Sequence, residues 1–439
     1  LQESLELLSE VRSYGGYRSV LQRYAAGFRD GHLSLNLNLD YRWTGWPRFL
    51  LAWRDGRVVV HHAERGAPGP AVGSTLVACD GQDAEALYNS RVMPFAGKGI
   101  PADRWRLTPE ILLDRINPLL EQPKRCTFEQ NGKTQEIDLS WTWTDWSSLR
   151  EAHSKARLGP RGSFGSRPVD GNGLWLSLPT FGPRGDDLAQ MKAIMAALPE
   201  HRQRDFVVVD VRNNGGGSSY WAEAFVRGLY GDGYYEALRD EMREGGYAIY
   251  RVSQQNVEHF RGLLGSIRAQ AGEDSGFYRY FESLAEAMAA ALERGETMYA
   301  HRPEEKEAEE EEEEEKEEKP SPEEAQPRFA GTVYLLTDTT CGSACLDFAD
   351  VVRELPYFVH VGLPTSGDTL YMEVRTVRLP SNNGRLTFAT KVYRERTRGH
   401  NEFYTPAHEW PGDIWRTEEL ETWIRSLHAQ RADPDDDAG

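Results

Sequence analysis

The sequence predicts a multidomain protein: an α/β core joined to a helical N-terminal segment and a β-rich module. Three observations carry this. Residues 1–30 place apolar side chains at helical spacing. Residues 43–145 alternate short strand-like runs with Asp-Gly and Asn-Gly turns. Two nearly continuous apolar runs, 206–211 and 332–336, each lead through a glycine-containing turn into a helix-like stretch. Such runs are typical of parallel strands buried on both faces. At 439 residues the chain is long enough for two or three domains. The expected division is a helical cap at 1–42, the β-rich module at 43–145 and a core of 146–233 with 328–430. A helical insertion at 234–301, a linker at 302–327 and a tail at 431–439 complete it.

In chain order, Leu1, Leu5, Leu8 and Val11 form one apolar stripe, and Val20, Leu21, Tyr24 and Phe28 form another. Asp30-Gly31 signals a turn and the alternation after it reads as a strand, which places His32 at a turn-to-strand junction. Residues 49–53 and 58–60 form a hairpin about an Asp-Gly turn, and 73–79 is a strand ending at Asp80-Gly81. Residues 84–88 make a short helix, and 126–129 with 137–139 make a second hairpin about Asn131-Gly132. Strands 173–178 and 206–211 then alternate with helices 188–198 and 220–229. Residues 234–300 are mostly polar with helical stretches, in which Phe277, Tyr280, Phe281, Leu284 and Met288 make a packing stripe. After the linker come strand 332–336, helix 346–355, strands 358–361, 374–379 and 386–391, loop 401–406 and helix 418–428.

The formal net charge is −18, and residues 304–319, with twelve Glu and three Lys, supply half of it. The remainder is only mildly acidic and shows no basic stripe, which argues against nucleic acid as a partner. No apolar run approaches the length of a membrane span. The Glu-rich run, closed by Pro320, Pro322 and Pro327, cannot bury a core and is expected to be a solvated linker. The chain starts at Leu1, so removal of an upstream segment is expected. Of the four cysteines, no two have a CxxC spacing and no histidine cluster accompanies them, so no zinc site is expected. Cys79 and Cys126 lie in strand-like runs. Either they pair across neighbouring strands or they remain buried thiols.

Ser343 is the chain's candidate nucleophile. It follows an apolar strand, precedes a helix, and is flanked by Gly342 and Ala344, so a substrate can approach its hydroxyl. The plainer reading is a helix N-cap. The loop 213–218 offers bare backbone N–H groups suited to an oxyanion hole, or it is simply a tight turn requiring positive φ. It is not a Walker motif, because no Lys-Ser/Thr pair follows the glycines. Among eleven histidines, His32 stands at a sharp turn beside small residues, whereas His360 lies inside a strand and reads as structural.

Taken together, these segments resemble the C-terminal processing peptidase, or tail-specific protease, family of serine proteases. Residues 209–217 resemble its core hallmark, 336–345 its nucleophile segment, and 362–369 its later glycine-threonine loop. Residues 75–81 resemble the core of the PDZ-like module that the family inserts ahead of its catalytic domain. The resemblance implies a PDZ-like module at 43–145 and an α/β core similar to the crotonase and Clp protease folds. The family's common Ser–Lys dyad is absent here. Twenty-five positions after Ser343 stands Asp368, and the first lysine beyond the serine is Lys391. The chain is more similar to the tricorn core-like branch, which uses Ser, His and Glu. That similarity implies Ser343 as nucleophile, His32 as base and Glu402, fifty-nine positions after the serine, as the group orienting the base. It also implies the Gly216 and Ala344 N–H groups as oxyanion donors. Asp368 is a secondary candidate, to orient the serine loop, to bind a substrate N-terminus or merely to cap a turn. Glu373 is the substitute for Glu402. The resemblance further implies a protein or peptide substrate cleaved near C-termini or in unfolded segments, no metal or organic cofactor, and a periplasmic or secreted location. The oligomeric state stays open. The rival functions are a non-catalytic peptide- or ligand-binding protein on the same fold, and nucleotide binding by loop 213–218.

Overall fold

The computed structural model describes residues 2–37, 42–160, 162–242, 246–302 and 325–432. Of the expected linker and tail, residues 303–324 and 433–439 lie outside them, whereas 431 and 432 continue helix Thr417–Ala432. The chain divides into two compact units, the first formed by Leu1–Arg161 with Thr376–Phe388 and Pro411–Trp415, the second by the remainder.

The first unit opens with helices Gln2–Glu10 and Tyr14–Ala26, the latter capped by Ser13, whose Oγ accepts the Gly16 N–H. Strand Ser34–Leu37 follows and pairs antiparallel with residues 384–387. A sheet then runs in the order Phe49–Arg54, Arg57–Ala63, Thr75–Cys79, Arg125–Gln130, Lys133–Asp138. The Asp55-Gly56 and Asn131-Gly132 turns close its hairpins with all four residues at positive φ, the geometry that matches strand twist in two-residue loops. Phe49, Leu51, Val60, Leu76, Tyr88, Ile111 and Phe128 fill its core. Cys79 lies opposite Cys126 in the antiparallel register and is bonded to it, which settles the question left open by the sequence. Helix Trp146–Leu158 also belongs here, because Leu149 packs with Trp46, Leu50 and Leu113. The unit thus holds the segments expected as a cap and as a β-rich module, and runs on to residue 161.

The second unit is built on a six-stranded sheet in the order Gly165–Val169, Gly173–Ser177, Phe206–Asp210, Thr332–Thr337, Phe358–Gly362, His408–Glu409. The first two strands form an antiparallel hairpin, and every later pairing is parallel. Phe206–Asp210 is buried at all five positions, as its unbroken apolar run requires. Helices Asp186–Ala197, Tyr220–Tyr230 and Ala344–Val352 contribute Met191, Phe225 and Phe348 to one core with Leu176, Val209 and Leu335. Because Phe206–Asp210, Thr332–Thr337 and Phe358–Gly362 are neighbours running the same way, the loops leaving their carboxyl ends emerge along one edge. Open parallel sheets place their sites at such edges.

The insertion is not purely helical. Helices Gln254–Ala271 and Gly276–Glu293 are present, but strands Tyr247–Arg251 and Met298–His301 pair with each other. Tyr247–Arg251 also pairs with residues 391–394 of strand Gly384–Arg394. Strand pairing over so large a sequence separation leaves no local signature in a polar segment. Among the described residues, no helix is long and apolar enough to cross a membrane.

The Cys79–Cys126 disulfide closes a loop of sequence separation 47. Replacing both cysteines by alanine is expected to lower unfolding free energy by about 2–4 kcal/mol, read as a reduced urea midpoint.

Candidate active site

Strand Thr332–Thr337 ends at a turn in which Ser343 has φ 54° and ψ −128°, a backbone conformation costly to any residue with a Cβ. Ser343 stands at the N-cap position of helix Ala344–Val352, yet its side chain makes no capping hydrogen bond. The plainer reading of Ser343 as a cap therefore fails. The strained turn leaves the Ser343 hydroxyl free of the helix it leads into.

Several bonds hold this backbone. Asp368, only 5% exposed, accepts the Ser343 N–H through Oδ2. Of the roles weighed for Asp368, orienting the serine loop matches that contact. Cys341 and Cys345, both fully buried, are joined by a disulfide that spans the serine, a bond that sequence spacing did not suggest. The Ser366 N–H donates to the Cys341 carbonyl at 3.0 Å. Asp338, overlooked in the sequence although it directly follows the strand, accepts the Thr340 N–H at 2.9 Å and the Asn213 N–H at 3.0 Å. It thereby ties the serine turn to the glycine loop. Burial pushes its carboxyl pKa up, against the pull of those hydrogen bonds.

The glycine loop follows Phe206–Asp210 and is anchored by an Asp210–Arg212 pair, 2.6 Å apart and buried. Asn214, fully buried, donates to the Leu178 carbonyl at 2.8 Å and accepts the Gly216 N–H at 2.9 Å. Gly216 has φ 99°, and a Cβ there would lie 2.7 Å from the Ser343 Cβ and 2.9 Å from the Ala344 N. No side chain fits between the loop and Ser343. The expected oxyanion pair is thus adjacent, but its members differ. The Gly216 N–H is engaged by Asn214, whereas the Ala344 N–H, at the first helical position, makes no hydrogen bond among the described residues.

Glu402 is exposed, and its Oε2 accepts the Gly399 N–H at 2.6 Å. Its backbone bridges Asp368, and the Asn401 N–H donates to the Asp368 carbonyl at 2.7 Å. The second unit therefore gathers Ser343, Gly216, Ala344, Asp368 and the Glu402 segment. Glu373 is not among them: its carboxylate lies 3.8 Å from His259 Nε2, and its carbonyl accepts the Thr390 hydroxyl. Lys391 is also apart, donating to the Tyr393 hydroxyl at 2.9 Å beside the Tyr250 ring. His360 is structural, as expected, with Nε2 2.7 Å from Thr337 Oγ1 and its pKa lowered to about 4 by burial and by Arg353.

His32 belongs to the first unit. Asp30 Oδ1 accepts its backbone N–H at 2.8 Å, and the ring Nδ1 lies 3.8 Å from the same oxygen without a hydrogen bond. Asp30 is a carboxylate beside the candidate base, at a position where Asp-Gly in the sequence signals only a turn.

A largely half-buried ion network joins the serine helix to residues 396–398. Asp347 and Asp350 face Arg396 and Arg398, and Asp347 also accepts the Ser219 hydroxyl at 2.6 Å. Burial would push the Asp347 carboxyl up, but Arg396 and Arg398 outweigh it and hold the pKa at about 2.

A sequence model of peptidase family S41 matches residues 174–405. Comparison with curated protein sequences returns no match. Among solved structures, the chain is similar to mature CPAF, with 14% identity and a TM-score of 0.59 over 99% of this chain and 92% of that one. It is likewise similar to mature CPAF complexed with lactacystin, at 14% identity and a TM-score of 0.60 over the same shares. Similarity to the photosystem II D1 C-terminal processing protease is weaker, at 13% identity and a TM-score of 0.34 over 95% of this chain and 87% of that one.

The close approach of Gly216 to the nucleophile yields a test. Gly216→Ala is expected to keep the fold by circular dichroism but slow fluorophosphonate labelling of Ser343 by at least about 100-fold, the scale of losing an oxyanion contact.

Proposed function

The chain belongs to peptidase family S41 and is a serine-type peptidase, and we propose that it works through Ser343, His32 and Glu402 rather than through a Ser–Lys dyad. The observation that carries the reading is the serine turn: Ser343 at positive φ, its hydroxyl uncommitted to capping, next to the unbonded Ala344 N–H. Ser343 Oγ attacks the peptide carbonyl, and His32 takes its proton and returns it to the leaving amine. Glu402 fixes the imidazole tautomer and stabilises its cation. The Ala344 N–H donates to the oxyanion, and the Gly216 N–H joins it by exchanging Asn214 Oδ1 for that oxygen. The acyl-enzyme ester is then hydrolysed by water activated by the same histidine.

Asp368 supports a histidine base over a lysine. A lysine must be neutral before it can take the serine proton, and a nearby carboxylate favours the ammonium form. A histidine gains its charge during the attack, and a nearby carboxylate favours that change. Lys391, enclosed by tyrosines, offers no alternative base.

The substrate is a protein or peptide. In our reading, residues 43–145 form a PDZ-like module that takes an extended peptide by strand addition, selecting C-terminal or unfolded segments, and residues 1–42 form a cap that supplies the base. Two disulfides favour an oxidising compartment, hence a periplasmic or secreted location.

A fluorophosphonate probe followed by peptide mapping is expected to label Ser343. Ser343→Ala should lose both the label and cleavage of unfolded casein. His32→Ala should lower kcat by at least about 100-fold, as removing a catalytic base does, with an unchanged melting temperature. A label elsewhere, or undiminished cleavage by either variant, removes the corresponding assignment.

A further inference from the structure

The Glu402 loop is irregular, and Glu402 itself is exposed, its carboxylate held among the described residues by the N–H of Gly399, the residue directly after a buried arginine. That arginine, Arg398, has a side chain only 2% exposed. Its Nε donates to both Asp350 oxygens, at 3.0 and 3.2 Å, and its terminal nitrogen donates to Asp347 at 3.1 Å. Asp347 and Asp350 lie one helical turn apart on Ala344–Val352, the helix that begins immediately after Ser343. On the other side of Glu402, the Tyr404 hydroxyl donates to the same Asp350 oxygen at 2.5 Å. The Tyr404 backbone exchanges bonds with Thr365, three residues before Asp368: its N–H donates to Thr365 Oγ1 at 2.9 Å, and its carbonyl accepts the Thr365 N–H at 3.0 Å. Ser219, just past the glycine loop, closes the network on Asp347.

We propose that Arg398, with Tyr404 as its counterpart across the loop, is a positioning residue that fixes Glu402 relative to the helix carrying the nucleophile. The inference rests on the assignment of Glu402 to the triad. Its physical basis is geometric. The loop is pinned on both sides of Glu402 to one carboxylate of the serine helix, so Glu402 and Ser343 share a common reference. A planar guanidinium fork reaches two carboxylates in fixed directions, which a lysine ammonium does not reproduce even though it keeps the charge.

Arg398→Lys therefore isolates direction from charge. With a chromogenic peptide substrate and the full chain, it is expected to lower kcat about tenfold or more while KM changes less than about threefold. Tyr404→Phe, which removes one hydroxyl and keeps the ring, is expected to give a smaller loss of the same kind and guards against a folding defect in the first variant. The decisive readout is non-additivity. On a Glu402→Gln background, neither change should lower kcat further, because each acts through Glu402. If Arg398→Lys lowers only the melting temperature, or if its effect multiplies that of Glu402→Gln, the proposal is overturned while the triad stands. Full activity of Glu402→Gln alone overturns the triad assignment and the proposal with it.

Discussion

The backbone of Ser343 is the constraint on which the rest of the site depends. A residue with a Cβ at φ 54° and ψ −128° persists only where its surroundings over-determine it. Three independent devices do so here: a carboxylate on its N–H, a disulfide across its flanks, and the first hydrogen bonds of the helix it leads into. Each removes a different freedom. The carboxylate fixes the peptide plane before the serine, the disulfide fixes the chord across the turn, and the Leu346 and Asp347 N–H groups fix the Ser343 carbonyl. The result is a serine hydroxyl uncommitted to capping beside the Ala344 N–H, which makes no hydrogen bond among the described residues.

The parallel sheet explains why distant segments meet at this turn. The glycine loop, the serine turn and the Asp368 loop follow three adjacent strands, so strand pairing alone brings their starts to within neighbouring-strand spacing. Side chains then complete the register. Asp338 joins the first two loops, Asp368 joins the second and third, and the bridge from Asp368 to Glu402 brings in the fourth segment. Gly216 belongs in this chain of contacts as an absence, because any side chain would occupy the space between loop and nucleophile.

How much of this was legible in the sequence follows from the range of the forces involved. The buried strands 206–211 and 332–336 announced themselves through apolar runs, and the hairpins through Asp-Gly and Asn-Gly, because both signals are local. The strands inside the 234–301 insertion did not, because Tyr247–Arg251 finds its partner near residue 392 and its alternation is short. Ser343 was legible as a candidate but not as a strained residue, since φ is not written in residue identity for serine as it is for glycine. Asp368 was legible as a departure at the position of a family lysine, and its bond to the Ser343 N–H was not. The Cys341–Cys345 bond escaped because a spacing of four closes only when the intervening backbone turns as this one does. The Asn214 side chain on the Gly216 N–H was equally hidden, being a contact between residues two apart whose direction only the turn decides.

The serine helix also carries an electrostatic conflict that its surroundings resolve. A helix N-terminus favours negative charge developing at Ala344, and Asp347 and Asp350 place two carboxylates within the following two turns. Left unpaired, those half-buried carboxylates would oppose negative charge at the same helix end. Arg396 and Arg398 lie against both, and the four side chains form a closed set with two charges of each sign. Removing one partner would leave a half-buried charge uncompensated, a smaller cost than in a fully buried pair because solvent reaches three of the four side chains. The two arginines therefore balance both carboxylates of the helix, and Arg398, four residues before Glu402, ties that loop to the helix. One set of ion pairs thus both balances the charge of the serine helix and ties to it the loop whose backbone bridges Asp368.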